Sequence, residues 1–191
     1  MYLSIISICL LDSSNVLCIW GQDDHNDFFI VDNRNLIYGF DSIENIDELL
    51  KNYEIPLFPI NREVLFRDNG FFANESVSYS LEDAKLILLN NTTIDGIDAD
   101  DARILIELYN LMFDYFYQTN NEECLLLRED WNMGVFFDYC YYRYFWKQGD
   151  EWQRLKKKLP SFDYAKFSFI FNRLMNVFEG SIIKYRIKGS A

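Results

Sequence analysis

The sequence contains little proline, glycine and histidine, and each shortage excludes something. Only 3 Pro and 8 Gly occur in 191 residues. Few positions therefore force a break in a helix or strand, and long regular elements are expected. The single histidine, His25, excludes a zinc site built on several histidines and gives poor support to a Ser-His-Asp triad. His25 falls in a polar loop, where a solvated side chain is its ordinary role.

The cysteines lack the spacing of a metal site. There are four of them, with no C-x-x-C pair: Cys9, Cys18, Cys124 and Cys140. A two-residue turn at Ser13-Ser14 would place Cys9 opposite Cys18 across a hairpin, so that a disulfide is geometrically possible. Buried free thiols are the favoured interpretation, because cysteine behaves as a small hydrophobe in a reducing compartment.

Targeting signals and the common catalytic motifs are also missing. No apolar run reaches the ~18–20 residues that span a bilayer. The apolar start, Met1 to Leu11, lacks a basic segment and a small-residue cleavage site, so it predicts a strand and not a signal peptide. Neither a phosphate-binding glycine motif nor a G-x-S-x-G elbow occurs. We expect a cytoplasmic protein with no membrane contact, no cofactor, no metal and no catalytic residues.

An acidic run beginning at Asp95 superficially resembles a calcium loop. It fails the EF-hand pattern, because Gly96 is second instead of sixth and Ile106 stands where the bidentate acid belongs. The run immediately precedes the most regular helical pattern in the chain. Carboxylates at that place can cap exposed N–H groups and favour the helix dipole. Capping accounts for two of the four aspartates. The others form an acidic knob that a basic partner could use, and the favoured alternative is that the cluster serves only capping, since exposed charge runs are often merely solvated.

Positive charge is scarce, and scarcest in the first two-thirds of the chain. The net charge is −12. Residues 1–125 carry 23 Asp/Glu against 6 Lys/Arg, whereas residues 126–191 carry 7 against 12. The negative electrostatic field of such a protein repels phosphate backbones and attracts basic partners. Direct nucleic-acid binding is therefore not expected. The simpler alternative is that the acidity only keeps an aromatic-rich protein (18% Phe, Trp and Tyr) in solution.

The order of elements predicts the α+β class, as one domain over residues 1–191. Residues 1–79 form a β-rich part and residues 80–191 a helix-rich part. The first part is predicted to be an antiparallel β-meander, with a further hairpin at 63–79 around an Asn-Gly turn. The second part is mainly helical, with a terminal strand at 181–188 that can return to the sheet. The predicted meander strands are 2–11, 16–20, 28–31 and 36–40, and the predicted helices are 42–52, 81–89, 99–118, 129–146, 151–159 and 162–179.

Residues 129–146 contain nine aromatic side chains between Trp131 and Trp146. A helical wheel gathers the polar residues on one stripe: Glu129, Asn132, Arg143, Lys147 and Asp150. Asp138 falls on the aromatic side, where a carboxylate needs donors such as tyrosine hydroxyls, Arg143 or Arg173. A structural network is favoured over a catalytic acid, since no second acid completes a hydrolytic pair.

Two acidic groups are the candidate partner-binding residues. The first group precedes and enters the helix at 99–118: Asp95, Asp98, Asp100, Asp101 and Glu107. The second surrounds His25: Asp23, Asp24 and Asp27. Basic residues 154–158 are interpreted as a solvated helix face or a self-contact that neutralises acid elsewhere.

These features predict a protein-binding module and not an enzyme. The leading hypothesis is an acidic inhibitor that neutralises a basic partner, such as a toxin nuclease domain, in the manner of bacterial immunity proteins and antitoxins. The alternative is a nucleic-acid mimic, of phage or mobile-element origin, that inhibits a DNA-binding enzyme. A mimic needs acids in two duplex-like rows, and the clustering at 95–107 favours a compact patch. An enzyme built on Asp138 is the third hypothesis.

Overall fold

The computed structural model describes residues 2–24, 26–51, 56–59, 77–146 and 149–185. In these ranges the strands are β1 (Tyr2–Cys9), β2 (Asn15–Gln22), β3 (Asp27–Phe29), β4 (Ile37–Gly39), β5 (Ser78–Ser80) and β6 (Ile182–Lys184). The α-helices are α1 (Ile43–Lys51), α2 (Leu81–Asn90), α3 (Ala99–Gln118), α4 (Glu122–Arg128), α5 (Trp131–Cys140), α6 (Gly149–Lys156) and α7 (Tyr164–Gly180). Two 3-10 turns (Ile94–Gly96 and Leu159–Ser161) and one π-helix (Tyr141–Phe145) complete them. The predicted α+β class, strands first and helices after, is confirmed.

The chain folds into two compact units. Residues 1–82 and 177–191 form unit 1, and residues 83–176 form unit 2. The β-rich part predicted for residues 1–79 corresponds to most of unit 1. That residues 1–191 form a single domain stays a prediction.

The sheet of unit 1 is centred on β1. Its strand order is β3-β2-β1-β5, with β2 antiparallel to both neighbours and β5 parallel to β1. Residues 3–6 of β1 are all buried, as expected for a strand covered on both faces. The antiparallel pairing of the first three strands follows the predicted meander.

The fourth predicted strand pairs differently from a meander. β4 forms a separate two-stranded parallel ladder with β6, and Phe40, directly after β4, forms an isolated bridge with Leu17 of β2. The close approach of β6 requires a glycine in β4, since a Cβ on Gly39 would lie 2.8 Å from Cγ2 of Ile182. The terminal strand therefore returns to the β-rich unit, as predicted, and its partner there is β4.

Apolar side chains fill the interior of each unit. The core cluster of unit 1 contains Leu3, Ile5, Ile19, Phe28, Ile30, Tyr38, Phe40, Ile46, Leu49 and Leu57. In unit 2 the core contains the buried face of α3. It also contains the rings of Phe136 and Phe167, which stack with their centroids 4.2 Å apart. The aromatic density of the sequence thus serves mainly as core.

The π-helix changes the geometry of the aromatic-rich segment. The N–H of Trp146 donates to the carbonyl of Tyr141, five residues back, at 2.7 Å. This wider turn stacks the rings of Tyr141 and Trp146, with centroids 4.7 Å apart and planes at 21°. The helix predicted over 129–146 is therefore an α-helix over Trp131–Cys140 followed by a π-turn.

Several local predictions need correction. Cys9 pairs with Asn15 and Cys18 pairs with Ile6, so the two thiols are three residues out of register. None of the four cysteines, all of which the structure describes, forms a disulfide. The helix α4 was not among the predicted helices; Asn121 caps it by accepting a hydrogen bond from the Cys124 N–H. Most of the hairpin predicted at 63–79, His25 and the tail 189–191 lie outside the described residues.

Candidate protein-binding site

The first acidic group is organised around the start of α3. Asp98 is the N-cap, and its carboxylate accepts hydrogen bonds from the N–H groups of Asp100 and Asp101, both at 2.9 Å. The predicted capping role is thus confirmed for Asp98. Because the cap holds the first turn together, Asp98, Asp100 and Asp101 present three carboxylates within four consecutive residues. We call these three residues, with Asp95, the acidic head.

Asp95 is held by side chains from the aromatic-rich segment. The hydroxyl of Tyr139 donates to its carboxylate at 2.9 Å, and the guanidinium of Arg143 lies 3.2 Å away. The hydroxyl of Tyr144 donates to the carbonyl of Ile97 in the same loop. Three side chains from α5 and the π-helix therefore fix the loop that leads into α3, which pre-organises the acidic head.

The carboxylates of the acidic head interact unfavourably with one another. Burial, and then the negative charges of Asp98 and Asp100, raise the pKa of Asp101 above its usual range. The negative charge of Asp101 adds to burial in raising the pKa of Tyr164 to about 12. Arg103 pairs with Asp100 at 3.2 Å, but both side chains are well exposed, and such pairs contribute little. An incoming cation would relieve this local negative potential.

Glu107 extends the acidic head along α3. The solvent-exposed residues of this helix include Asp100, Arg103, Glu107 and Asn110, whose spacing of three and four residues places them on one face. Unit 2 as a whole is close to neutral, with 15 Asp/Glu and 11 Lys/Arg. The acidity at the start of α3 is therefore a local feature.

The second acidic group lies in unit 1, at the turn between β2 and β3. Asp23 accepts a hydrogen bond from the Asn26 N–H at 2.8 Å, which closes the turn, and Asp24 is exposed. Asp27 opens β3 and is half-buried. One of its carboxylate oxygens is buried with no hydrogen-bond partner in the described part of the chain. Asp23 thus has a local structural role, and the two acidic groups belong to different units.

Asp138 is half-exposed, although its place on the aromatic side of the helical wheel suggested burial. Its side chain is 45% exposed and pairs loosely with Lys158, at 3.6 Å. Asn132, assigned to the polar stripe, is instead buried, and its side-chain oxygen accepts a hydrogen bond from the Asp163 N–H. The contact of Lys158 is the self-contact predicted as one role of the basic residues at 154–158.

An open cleft of about 470 Å³ lies between α3, the turn after α4, and α5. It was not identified from the sequence. Its lining combines rings and charged groups: Tyr109, Asn110, Arg128, Glu129, Gly134, Phe137, Asp138 and Tyr141. The sequence did contain a signal for it: Gly134 lies inside a predicted aromatic-rich helix, where a glycine is not needed for a turn. Within α5, an added Cβ at Gly134 would meet nothing within 4 Å.

Three features of the described ranges bear on metal binding, thiol chemistry and membrane insertion. In those ranges no three His, Cys, Asp or Glu side chains gather in a way that could hold a metal ion. Burial raises the pKa of the Cys18 and Cys140 thiols and raises that of Cys124 to about 11, so these three are poor nucleophiles. The described helices include none with the length and apolar character needed to cross a membrane.

Comparison with known proteins gives a similar fold. No protein-family model matches the chain, and no curated protein matches it. The crystal structure of the SatS C-terminal domain in complex with bromine is similar, with a TM-score of 0.65 and 16% sequence identity. The match covers 96% of this chain and 94% of that one. At this identity the similarity establishes the fold over nearly the full length.

Proposed function

We propose that the protein is an acidic binding module that recognises and neutralises a basic protein through the acidic head of α3. The observation that carries this proposal is the pre-organised cluster of Asp98, Asp100 and Asp101, fixed by the cap and by the side chains that hold Asp95. Its carboxylates repel one another in the free protein, so a basic partner would gain from relieving that repulsion.

The physical role of the cluster is electrostatic steering. Exposed carboxylates on one face raise the association rate of a cationic partner, and this effect weakens as salt screens the charges. Affinity then depends on buried contacts, for which aromatic side chains are the usual anchors. Trp146 and Phe145 are partly exposed beside the side chains that hold the acidic head and supply such surface.

The more specific form of this proposal is an immunity protein or antitoxin for a bacterial toxin with a cationic nuclease domain. Such inhibitors need a compact acidic patch and no active site. The acidic head meets the first of these requirements, since Asp98, Asp100 and Asp101 cluster at the start of α3.

The test is direct binding to purified cationic nuclease domains encoded beside this protein. Association rates are measured at several salt concentrations for the wild type and for the double variant Asp98→Asn/Asp100→Asn. Asparagine keeps the N-cap, so the variant loses two charges and retains the helix. We expect association to slow several-fold at low salt, in line with the loss of local steering charge.

The matched control is Asp47→Asn/Glu48→Gln in α1, where both side chains are exposed. It makes the same change in net charge at another surface. Equal slowing in both variants would mean that bulk charge alone matters and would refute the acidic head as the site. Tight binding to a DNA-binding enzyme with competition by duplex DNA, and none to nuclease domains, would support the nucleic-acid mimic instead.

A further inference from the structure

The cleft beside α3 has the ingredients of a receptor for a cationic side chain. Its walls include the rings of Tyr109 and Phe137, whose centroids lie 4.0 Å apart, and the ring of Tyr141. Glu129 and Asp138 add two carboxylates. Ring faces and carboxylates together are the surroundings that guanidinium groups prefer.

The aromatic cluster already holds one cation. The guanidinium of Arg128 lies over the rings of Phe113 and Tyr117, at 5.7 Å and 5.3 Å from their centroids. Burial raises the pKa of Tyr109 to about 12, although the charge of Arg128 and a hydrogen bond from it act in the opposite direction. Arg128 is thus engaged with neighbouring rings. Because Glu129 and Asp138 outnumber it, the lining carries a net negative charge.

The contact between Asp138 and Lys158 is weak enough to exchange. Both side chains are 45% exposed and the N–O distance is 3.6 Å. The ammonium of Lys158 also lies over the ring of Trp131, at 5.6 Å, so it keeps a favourable contact if it leaves the carboxylate. A guanidinium that bound Asp138 through two parallel hydrogen bonds would compete well with this single long contact.

The cleft is continuous with the exposed face of α3 that begins at the acidic head. Asn110, which lines the cleft, is ten residues after Asp100 on that face, and ten helical residues span about 15 Å. Glu107 lies between them. A basic segment lying along α3 would therefore meet the acidic head first and the cleft about three turns later.

We infer that this cleft receives an arginine side chain of the basic partner, packed against the partly exposed rings of Phe137 and Tyr141 and paired with Asp138. The inference rests on the proposed function, since it names the anchor for the partner that the acidic head attracts. Gly134 lines the cleft, and the space beside it is open, since an added Cβ there would meet nothing within 4 Å. Citrulline has the same shape as arginine without the charge and should bind poorly.

The test uses two small probes, N-acetylarginine amide and N-acetylcitrulline amide, titrated into the labelled protein and followed by backbone amide NMR. In the wild type, the arginine probe should shift the amides of Asn110 and Gly134 and should bind about five-fold more tightly than citrulline, as one cation–π contact allows. Gly134→Leu should abolish these shifts. Gln153→Leu, which places the same leucine on the exposed face of α6, should leave them intact.

A second variant removes the charge without adding bulk. Glu129→Gln/Asp138→Asn should erase the preference for arginine over citrulline. Equal binding of the two probes to the wild type, or shifts that survive Gly134→Leu, would overturn the inference. If the arginine probe shifts only the amides of Asp98–Asp101, the cleft is not the arginine site, and the acidic head remains the proposed binding site. If the arginine probe shifts the cleft amides but no cationic protein binds, the proposed function is refuted and the arginine site in the cleft is not.

Discussion

The hydroxyl of Tyr139 donates a hydrogen bond of 2.9 Å to the carboxylate of Asp95, forty-four residues earlier in the chain. Tyr139 is fully buried, and the guanidinium of Arg143 lies over its ring, 5.1 Å from the centroid. A buried ring, a cation and a carboxylate thus form one connected set. The aromatic segment and the acidic segment, which the sequence presents as separate features, are parts of the same local structure.

Tyr139→Phe should weaken this connection while preserving the core. Removing the hydroxyl should lower the free energy of unfolding by about 1 kcal/mol, because Asp95 keeps Arg143 and is itself solvent-accessible. Tyr142→Phe, at a half-buried ring that packs against Trp146, should change it by less. Denaturant unfolding of both variants measures the difference, and equal stabilities would argue against a structural role for the Asp95 contact.

Much of the fold could be predicted because its signals are local. The apolar run of β1, the turn chemistry after it and the long stripe of α3 each depend on neighbouring residues. The parallel pairings of β5 with β1 and of β6 with β4 could not be predicted, since strands of three residues carry no signal for a partner far away in the chain. Tertiary contacts decide such pairings.

The candidate site was only partly predictable for a different reason. A helical wheel assumes 100° per residue, and the π-helix at Tyr141–Phe145 breaks that assumption. Arg143, assigned to the polar stripe, therefore reaches Asp95. Asn132 precedes the π-helix, and it is buried where its side-chain oxygen accepts a hydrogen bond from the Asp163 N–H, a tertiary contact that a helical wheel does not contain. The capping role of Asp98 was predictable, because the N-cap preference depends on a few adjacent residues.

Two glycines offer opposite predictions for the same substitution. Gly134→Ala should raise the free energy of unfolding by about 0.5–1 kcal/mol, because the added methyl meets no atom within 4 Å and alanine suits a helix better. Gly21→Ala should lower it by about 1–3 kcal/mol, since its Cβ would lie 2.6 Å from side-chain carbons of Leu3 and Phe28. Thermal unfolding of the two variants measures both signs, and a destabilised Gly134→Ala would contradict the open cleft.

Asp130 should contribute to stability at neutral pH and lose that contribution in acid. Burial would raise its pKa, but hydrogen bonds from Lys166 and from the backbone and side chain of Asn132 outweigh burial and lower it. A carboxyl whose pKa is lower in the folded state stabilises the fold above its unfolded pKa of ~4. This stabilisation disappears as the pH falls through the folded value.

The measurement compares the wild type with Asp130→Asn, in which the amide can still cap α5. The wild type should be more stable by roughly 0.5–1 kcal/mol at neutral pH, and the difference should shrink as the pH falls below ~4. Lys166→Met should lose a similar amount, because it removes the ammonium 2.6 Å from Asp130. If the stability difference between the wild type and Asp130→Asn grows in acid, the predicted direction of the Asp130 pKa shift is wrong.

Thiol reactivity should separate Cys9 from the other cysteines. Cys9 is half-buried, whereas Cys18, Cys124 and Cys140 are buried, and burial raises the pKa of each of these three thiols. A disulfide-exchange reagent should therefore modify Cys9 first, and the remaining three only on unfolding. Mass spectrometry of partly modified protein identifies the site. Early modification of Cys18 would mean that β2 is more accessible than its packing implies.

The cap and the charge of Asp98 can be separated by two substitutions at one position. Asp98→Ala removes the acceptor for two backbone N–H groups and should lower the free energy of unfolding by about 1 kcal/mol. Asp98→Asn keeps the acceptor and should change stability by a few tenths of that. Both variants remove a negative charge that raises the pKa of Asp101, so carboxyl NMR should find that pKa lowered in both. The loss of stability thus reports the cap, and the pKa of Asp101 reports the charge. An equal loss of stability in the two variants would mean that the Asp98 carboxylate acts through the helix dipole and not as a hydrogen-bonding cap.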